Sequence, residues 1–100
     1  MLTIVAKLQA AEGKADELKA ILTDMVAKVK ANEAGAVPVY SLHESSTEPG
    51  LFLFYEQYRD ADAFAAHGKT DHMAAMNASL KGMLGGRPVI ERYTQVAGVS

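Results

Sequence analysis

The sequence predicts an α+β fold, a four-stranded antiparallel sheet with helices on one face. Three observations predict it. Leu2 to Leu8 alternates, with Leu2, Ile4, Ala6 and Leu8 on one side and Thr3, Val5 and Lys7 on the other, the period of a strand. From Lys14 to about Ala31 the apolar residues Leu18, Ile21, Leu22, Met25, Val26 and Val29 fall at offsets 0, 3, 4, 7, 8 and 11, one stripe of an amphipathic helix. Then Leu51 to Tyr58 runs together as strand-forming residues with a single carboxylate, Glu56, among them.

The remaining elements follow in order. Ala11-Glu12-Gly13 is a turn. In the helix after it, Glu17 in the first turn and Lys28 and Lys30 in the last complement the helix dipole. Asn32-Glu33-Ala34-Gly35 ends that helix, with Gly35 expected as a left-handed exit. Pro38 is tolerated as the first residue of a strand that continues over Val39–Glu44, where Tyr40 and Leu42 share one face and Ser41 and His43 the other. Ser45–Gly50 is a hairpin loop, and the third strand runs from Leu51 to about Arg59. Asp60 caps a short helix, Ala61–His67, which Gly68 interrupts. Thr70 or Asp71 caps another, from His72 to about Met83, with Met73, Met76, Asn77, Leu80 and Leu84 on one side. Gly85-Gly86 and Pro88 stop it, and Val89–Val96 is the last strand. A tail, 97–100, is expected to be loose or to dock on a partner. The order strand, helix, strand, strand, helix pair, strand suggests the ferredoxin-like βαββαβ arrangement.

One hundred residues make a single domain, 1–100, with its core over 2–96. The apolar fraction, 49%, is that of a soluble globular chain and argues against disorder. The net charge is −2 with no basic block, which speaks against nucleic acid or an anionic membrane surface as partner. There is no cysteine, so disulfides, thiolate catalysis and thiolate metal sites are excluded. No apolar run approaches the ~20 residues of a membrane helix, and the N-terminus lacks a basic start and a cleavage site, so a cytoplasmic protein is expected. Neither a phosphate-binding glycine loop nor a nucleophile elbow occurs, and nothing points to a nicotinamide or flavin site.

A strand with one wet face should alternate apolar and polar residues. Leu51–Tyr58 does not, so both faces are expected to be covered. Tyr40, Leu42, Phe52, Phe54, Tyr58, Ile90 and Tyr93 are too many large residues for one covered face, which predicts a sheet-to-sheet homodimer. Glu56 is then a carboxylate in a buried wall. It is either a general base or the partner of Arg59, Arg92 or Lys7 across the sheet. His67 and His72 are five apart, not the three or four that place two ligands on one helical face, and only His43 offers a third imidazole, so no metal site is expected. Each is a candidate acid or base or a helix-terminus residue. Asn77 is the one polar residue on its helix's apolar side. Met25, Met73, Met76 and Met83 read as core filling that would also suit a flat aromatic ligand.

Phe54-Tyr55-Glu56-Gln57-Tyr58, then Asp60, His67 and Thr70-Asp71-His72, closely resembles the signature of the antibiotic biosynthesis monooxygenase (ABM) superfamily. Ile4-Val5-Ala6-Lys7 with Gly13-Lys14, and Glu91-Arg92-Tyr93, resemble the opening and closing strands of such proteins. The resemblance covers nearly the whole chain. It implies a dimeric α+β barrel built from ferredoxin-like halves, and activities that range from cofactor-independent oxygenation of anthrones and quinols to heme degradation and isomerisation of a phosphorylated pentanedione. The chain departs from the heme branch: it has no Trp, and His67 and Asn77 take the positions of that branch's Trp and His. Asp71 stands where Pro usually precedes His72, and Tyr55 to His72 is also similar to the isomerase branch.

The implied function is a cofactor-independent monooxygenase that joins a quinol or related small aromatic substrate to dioxygen. Glu56, His67 and His72 are its expected catalytic groups, and Tyr40, Tyr55, Met76, Asn77 and Arg92 its expected substrate contacts. The alternatives are an isomerase of a small hydroxy-ketone, with Lys7, Arg87 or Arg92 for a phosphate, and a dimeric binding module without turnover.

Overall fold

A computed structural model describes residues 1–99. The elements are β1 (Leu2–Gln9), α1 (Ala15–Glu33), β2 (Val39–Glu44), β3 (Leu51–Tyr58), α2 (Ala61–His67), α3 (Asp71–Ser79) and β4 (Val89–Thr94). The strands form one antiparallel sheet in the order β2-β3-β1-β4. This is the ferredoxin-like α+β arrangement that the element order predicts, with the helices on one side.

Pleat parity decides which side chains meet the helices. On β3, Phe52, Phe54, Glu56 and Tyr58 are buried, while Tyr55 between them is exposed. Cross-strand register extends the same face: Ile4 lies opposite Glu56, Ala6 opposite Phe54 and Leu8 opposite Phe52. Tyr40 and Leu42 join it from β2, and Ile90 and Arg92 from β4. Leu18, Leu22, Met25 and Val29 of α1 close over this face and are almost wholly buried. Ile21 and Val26 flank them, half buried.

The large residues do not divide between two faces as the sequence suggests. Tyr40, Leu42, Phe52, Phe54, Tyr58 and Ile90 all project to the helix side, and Tyr93 alone belongs to the other. The helix layer buries Phe52, Phe54 and Tyr58 beside the small Ala6 and covers Tyr40 and Leu42 in part, whereas Ile90 on the outer strand stays 58% exposed. β3 therefore does alternate, in burial rather than in polarity. The other face mixes Val5, Leu53, Tyr55 and Tyr93 with Thr3, Lys7, His43, Gln57 and Glu91, and Lys7 pairs with Glu91 at 3.5 Å.

Three boundaries differ from expectation. α1 runs on to Glu33, and its exit needs no left-handed residue: the Glu33 carbonyl accepts from both Ala36 and Val37 at 3.0 Å, and Gly35 keeps an ordinary φ. α3 stops at Ser79 instead of Met83 because the next residues are drawn to the end of β1. Gly82 turns the chain at φ +76, and Leu84 then bridges Ala10. β4 stops at Thr94. Of the expected tail, Ser100 lies outside the described residues, and Val96 and Val99 are fully exposed.

Gly85 donates its N–H to the Gln9 carbonyl at 2.8 Å, and a Cβ there would lie 3.0 Å from the Ala10 carbonyl oxygen. At Gly86 a Cβ would meet nothing within 4 Å. Gly85→Ala is expected to destabilise the fold by roughly 1–3 kcal/mol in urea unfolding, since backbone must shift to admit the methyl. Gly86→Ala is expected to change it by under about 0.5 kcal/mol. Equal effects would show that the loop tolerates displacement from β1.

Candidate active site

Between the sheet and the helix pair α2–α3 lies a cavity of about 580 Å³. Its floor is the buried face of the strands, with Ile4, Ala6, Leu8, Phe54 and Glu56. Tyr40 and Ile90 flank it from the outer strands. Its roof is Phe64 and His67 of α2 and Met73, Met76 and Asn77 of α3, and Arg87 stands at one side. Glu56, His67, Asn77 and Arg87, with the Tyr40 hydroxyl, are the polar side chains in an otherwise apolar wall.

Glu56 is on the floor because it shares a pleat with Phe54 and Tyr58, and it retains only 4% of its surface. None of the basic partners considered from the sequence reaches it. Its Oε1 instead accepts a hydrogen bond from the Tyr58 hydroxyl at 2.5 Å. Arg92, one of those basic candidates, holds its guanidinium 5.6 Å from the Phe64 ring centre. Burial without a cation penalises the carboxylate form, and the Glu33 charge adds to this, while the Tyr58 hydrogen bond opposes it. The outcome raises the Glu56 pKa from an ordinary 4.5 to about 7. Desolvation and the carboxylate charges push the Tyr40 and Tyr58 hydroxyls far above their usual range, so both remain donors.

His67 is the last residue of α2, whose start is fixed by Asp60 accepting from the Ala63 N–H at 2.8 Å. Three residues separate it from the start of the next helix at Asp71. Thr70 Oγ1 accepts from the Met73 N–H and donates to the His67 carbonyl at 2.9 Å, which joins the two helices at this point. The His67 ring packs against Tyr40 and Tyr58, each with a centroid distance of 5.4 Å. Its Nδ1 meets both oxygens of Glu33 at 3.1 Å. Nε2 has no protein partner among the described residues and is the nitrogen left for the cavity.

His72 does not reach the cavity. Its Nε2 binds the same carboxylate, 2.5 Å from Glu33 Oε2, and the ring lines clefts on the outer surface of α1 and α3. Of the expected substrate contacts, Tyr40, Met76 and Asn77 line the cavity. Tyr55 sits on the opposite face of the sheet, because it is out of phase with Glu56 by one residue. Arg92 is on the helix face but stacks on Phe64 and is not a wall residue, whereas Arg87 is. Sequence reasoning missed Glu33 as a site residue. It lies far from both histidines in the chain, and its only local signal is a helix-terminal carboxylate, which is common on any surface.

The raised Glu56 pKa has a consequence for stability. The folded protein holds this proton more tightly than the unfolded chain does, so stability falls as pH rises from about 4.5 to about 7 and levels off above. The full decline is on the order of 3 kcal/mol. Glu56→Gln keeps an acceptor for Tyr58 and is expected to remove most of that decline, which makes the variant the more stable protein at pH 8. Urea unfolding across this pH range checks it. Parallel declines in wild type and variant would assign the pH dependence to another group.

Residues 1–79 match the family described as antibiotic biosynthesis monooxygenase. Among solved structures, the chain is 40% identical to a proposed antibiotic biosynthesis monooxygenase of Caulobacter crescentus CB15, with a TM-score of 0.89 over 96% of this chain and 90% of that one. It is 29% identical to PA3566 of Pseudomonas aeruginosa, with a TM-score of 0.87 over 96% and 94% of the two chains. Rv0793 of Mycobacterium tuberculosis shares the fold at 20% identity, with a TM-score of 0.89 over 99% and 98%. None of the curated proteins compared with the chain matches it. With the family match spanning residues 1–79 and the 40% identity to the Caulobacter protein running over nearly the whole of both chains, the chain belongs to the antibiotic biosynthesis monooxygenase family.

Proposed function

We propose that the protein is a cofactor-independent monooxygenase of a quinol or a related small phenolic ring. One observation carries this reading: among the described residues, the one carboxylate lining an apolar, ring-sized cavity has a pKa near 7 and no cation beside it. Such a group is matched to removing a proton at neutral pH from a hydroxyl held against it. The family supports the reaction class.

Glu56 takes the hydroxyl proton, and Tyr58 steadies the carboxylate from Oε1. In the neutral tautomer that donates Nδ1–H to Glu33, His67 presents Nε2 to accept from the ring's second hydroxyl. Asn77 and the Tyr40 hydroxyl supply further hydrogen bonds from the wall, and Phe54, Phe64, Met73 and Met76 hold the ring faces and keep water out. The deprotonated ring then donates electrons to dioxygen. One oxygen atom forms a new C–O bond to the ring, the O–O bond breaks, and the other atom leaves as water. All four electrons come from the substrate, as in quinol plus dioxygen giving hydroxyquinone plus water, so the balance requires no external reductant. The family assembles this site in a homodimer on our reading, with the half-exposed Val89, Ile90 and Tyr93 of β4 available to a second copy.

Arg87 in the wall favours a second reading, isomerisation of a phosphorylated hydroxy-ketone, with Arg87 on the phosphate and Glu56 moving the proton. Oxygen uptake separates the two. With metal-free protein and a panel of hydroquinones, uptake above the spontaneous rate is expected, and kcat should rise with pH through about 7 as Glu56 ionises. Glu56→Gln is expected to lower kcat by ~10²–10⁴-fold. Uptake at the spontaneous rate across the panel would sink the oxygenase, and turnover of a hydroxy-ketone without dioxygen would establish the isomerase.

A further inference from the structure

His72 has no place in the chemistry above and Glu33 serves there only to orient His67, yet the three are built as a unit. Glu33 closes α1, His67 closes α2 and His72 lies in the first turn of α3. One carboxylate oxygen, His67 Nδ1 and His72 Nε2 all lie within 4.8 Å of one another. The three side chains keep only 10%, 4% and 13% of their surface. We propose that they form a binding site for a divalent transition ion, Zn²⁺ or a late first-row ion such as Co²⁺ or Ni²⁺.

The donor set selects the ion. Two imidazole nitrogens and one carboxylate oxygen suit zinc and its first-row neighbours, whereas magnesium and calcium prefer oxygen ligands throughout. Three protein donors leave a coordination position open. His72 lines clefts on the outer surface of α1 and α3, so an ion and its water can enter from that side. The site also sits at the C-terminal, negative end of α1, a helix of 19 residues. The separation of five between the histidines is no obstacle, because they approach from two helices that Thr70 joins at a fixed angle.

Without an ion the same atoms satisfy one another, with the carboxylate accepting from both rings at 3.1 and 2.5 Å. Ligands on a tetrahedral ion with bonds of ~2.0–2.1 Å stand ~3.3–3.4 Å apart. The two carboxylate–imidazole contacts therefore need to lengthen by less than ~1 Å to admit it, and the two ring nitrogens lie within 4.8 Å of one another. Binding requires the lone pair of His67 Nδ1, so the proton of the neutral ring moves to Nε2. His67 then offers the cavity a donor in place of an acceptor. That last consequence rests on the reading under Proposed function, but the site itself does not.

The test is calorimetric titration of untagged, metal-free protein with Zn²⁺ near neutral pH, with thermal unfolding and the visible spectrum of a Co²⁺ titration beside it. One ion per chain is expected, with a raised unfolding temperature and Co²⁺ bands of low symmetry. His72→Ala, at a partly open position that spares the core, is expected to weaken Zn²⁺ at least ~10-fold, and Glu33→Gln likewise. His43→Ala, on the far face of the sheet, should leave affinity unchanged. Absence of saturation by ~1 mM, wild-type affinity in His72→Ala, loss in His43→Ala, or Mg²⁺ binding as tightly as Zn²⁺ would each overturn the proposal. None of these outcomes depends on whether a quinol is oxidised.

Discussion

The structure depends on one buried contact, the hydrogen bond from Tyr58 to Glu56 on the helix-covered face of β3. The two residues are two apart, so the pleat delivers both to the same side, beneath α1 and the helix pair. A carboxylate in that position has no cation to offset its lost hydration. A phenolic donor compensates only part of that loss, and the remainder appears as a raised proton affinity. Packing thus sets the chemistry. The residues that fill the core around Glu56 are the ones that raise its proton affinity toward neutral pH.

The second organising feature is the joint between α2 and α3. Thr70 caps the later helix and anchors the last carbonyl of the earlier one, and this brackets His67 and His72 within a short stretch of rigid backbone. The end of α1 arrives between the two rings with Glu33. His67 consequently faces two ways, with one nitrogen toward Glu33 and the other toward the cavity. A side chain held at both the ring faces and one nitrogen has little freedom left to lose, which suits the positioning role proposed for it.

Much of this was legible in the sequence. The alternation in β1, the stripe of α1 and the caps at Asp60 and Thr70 are local signals, and the structure follows them. Glu56 as a buried carboxylate was legible too, because it stands alone in an apolar run. What the sequence could not show was parity across strands. Whether Tyr40, Ile90 and Tyr93 share a face with Phe54 depends on register, which is a long-range property. The same blindness let Tyr55, the neighbour of Glu56, stand as a substrate contact although the pleat turns it away. Glu33 was hidden for a related reason: its partners lie in other helices, and no spacing rule within one helix connects them.

The central claim is that burial without a neighbouring cation, with the Glu33 charge adding to it, keeps Glu56 half protonated at neutral pH. A carbon-13 NMR titration that follows the side-chain carboxyl of Glu56 in the folded protein measures this directly. The account predicts a midpoint at about 7. A midpoint near that of a free glutamate, about 4.3, would show the carboxylate to be hydrated or paired in solution and would contradict the account.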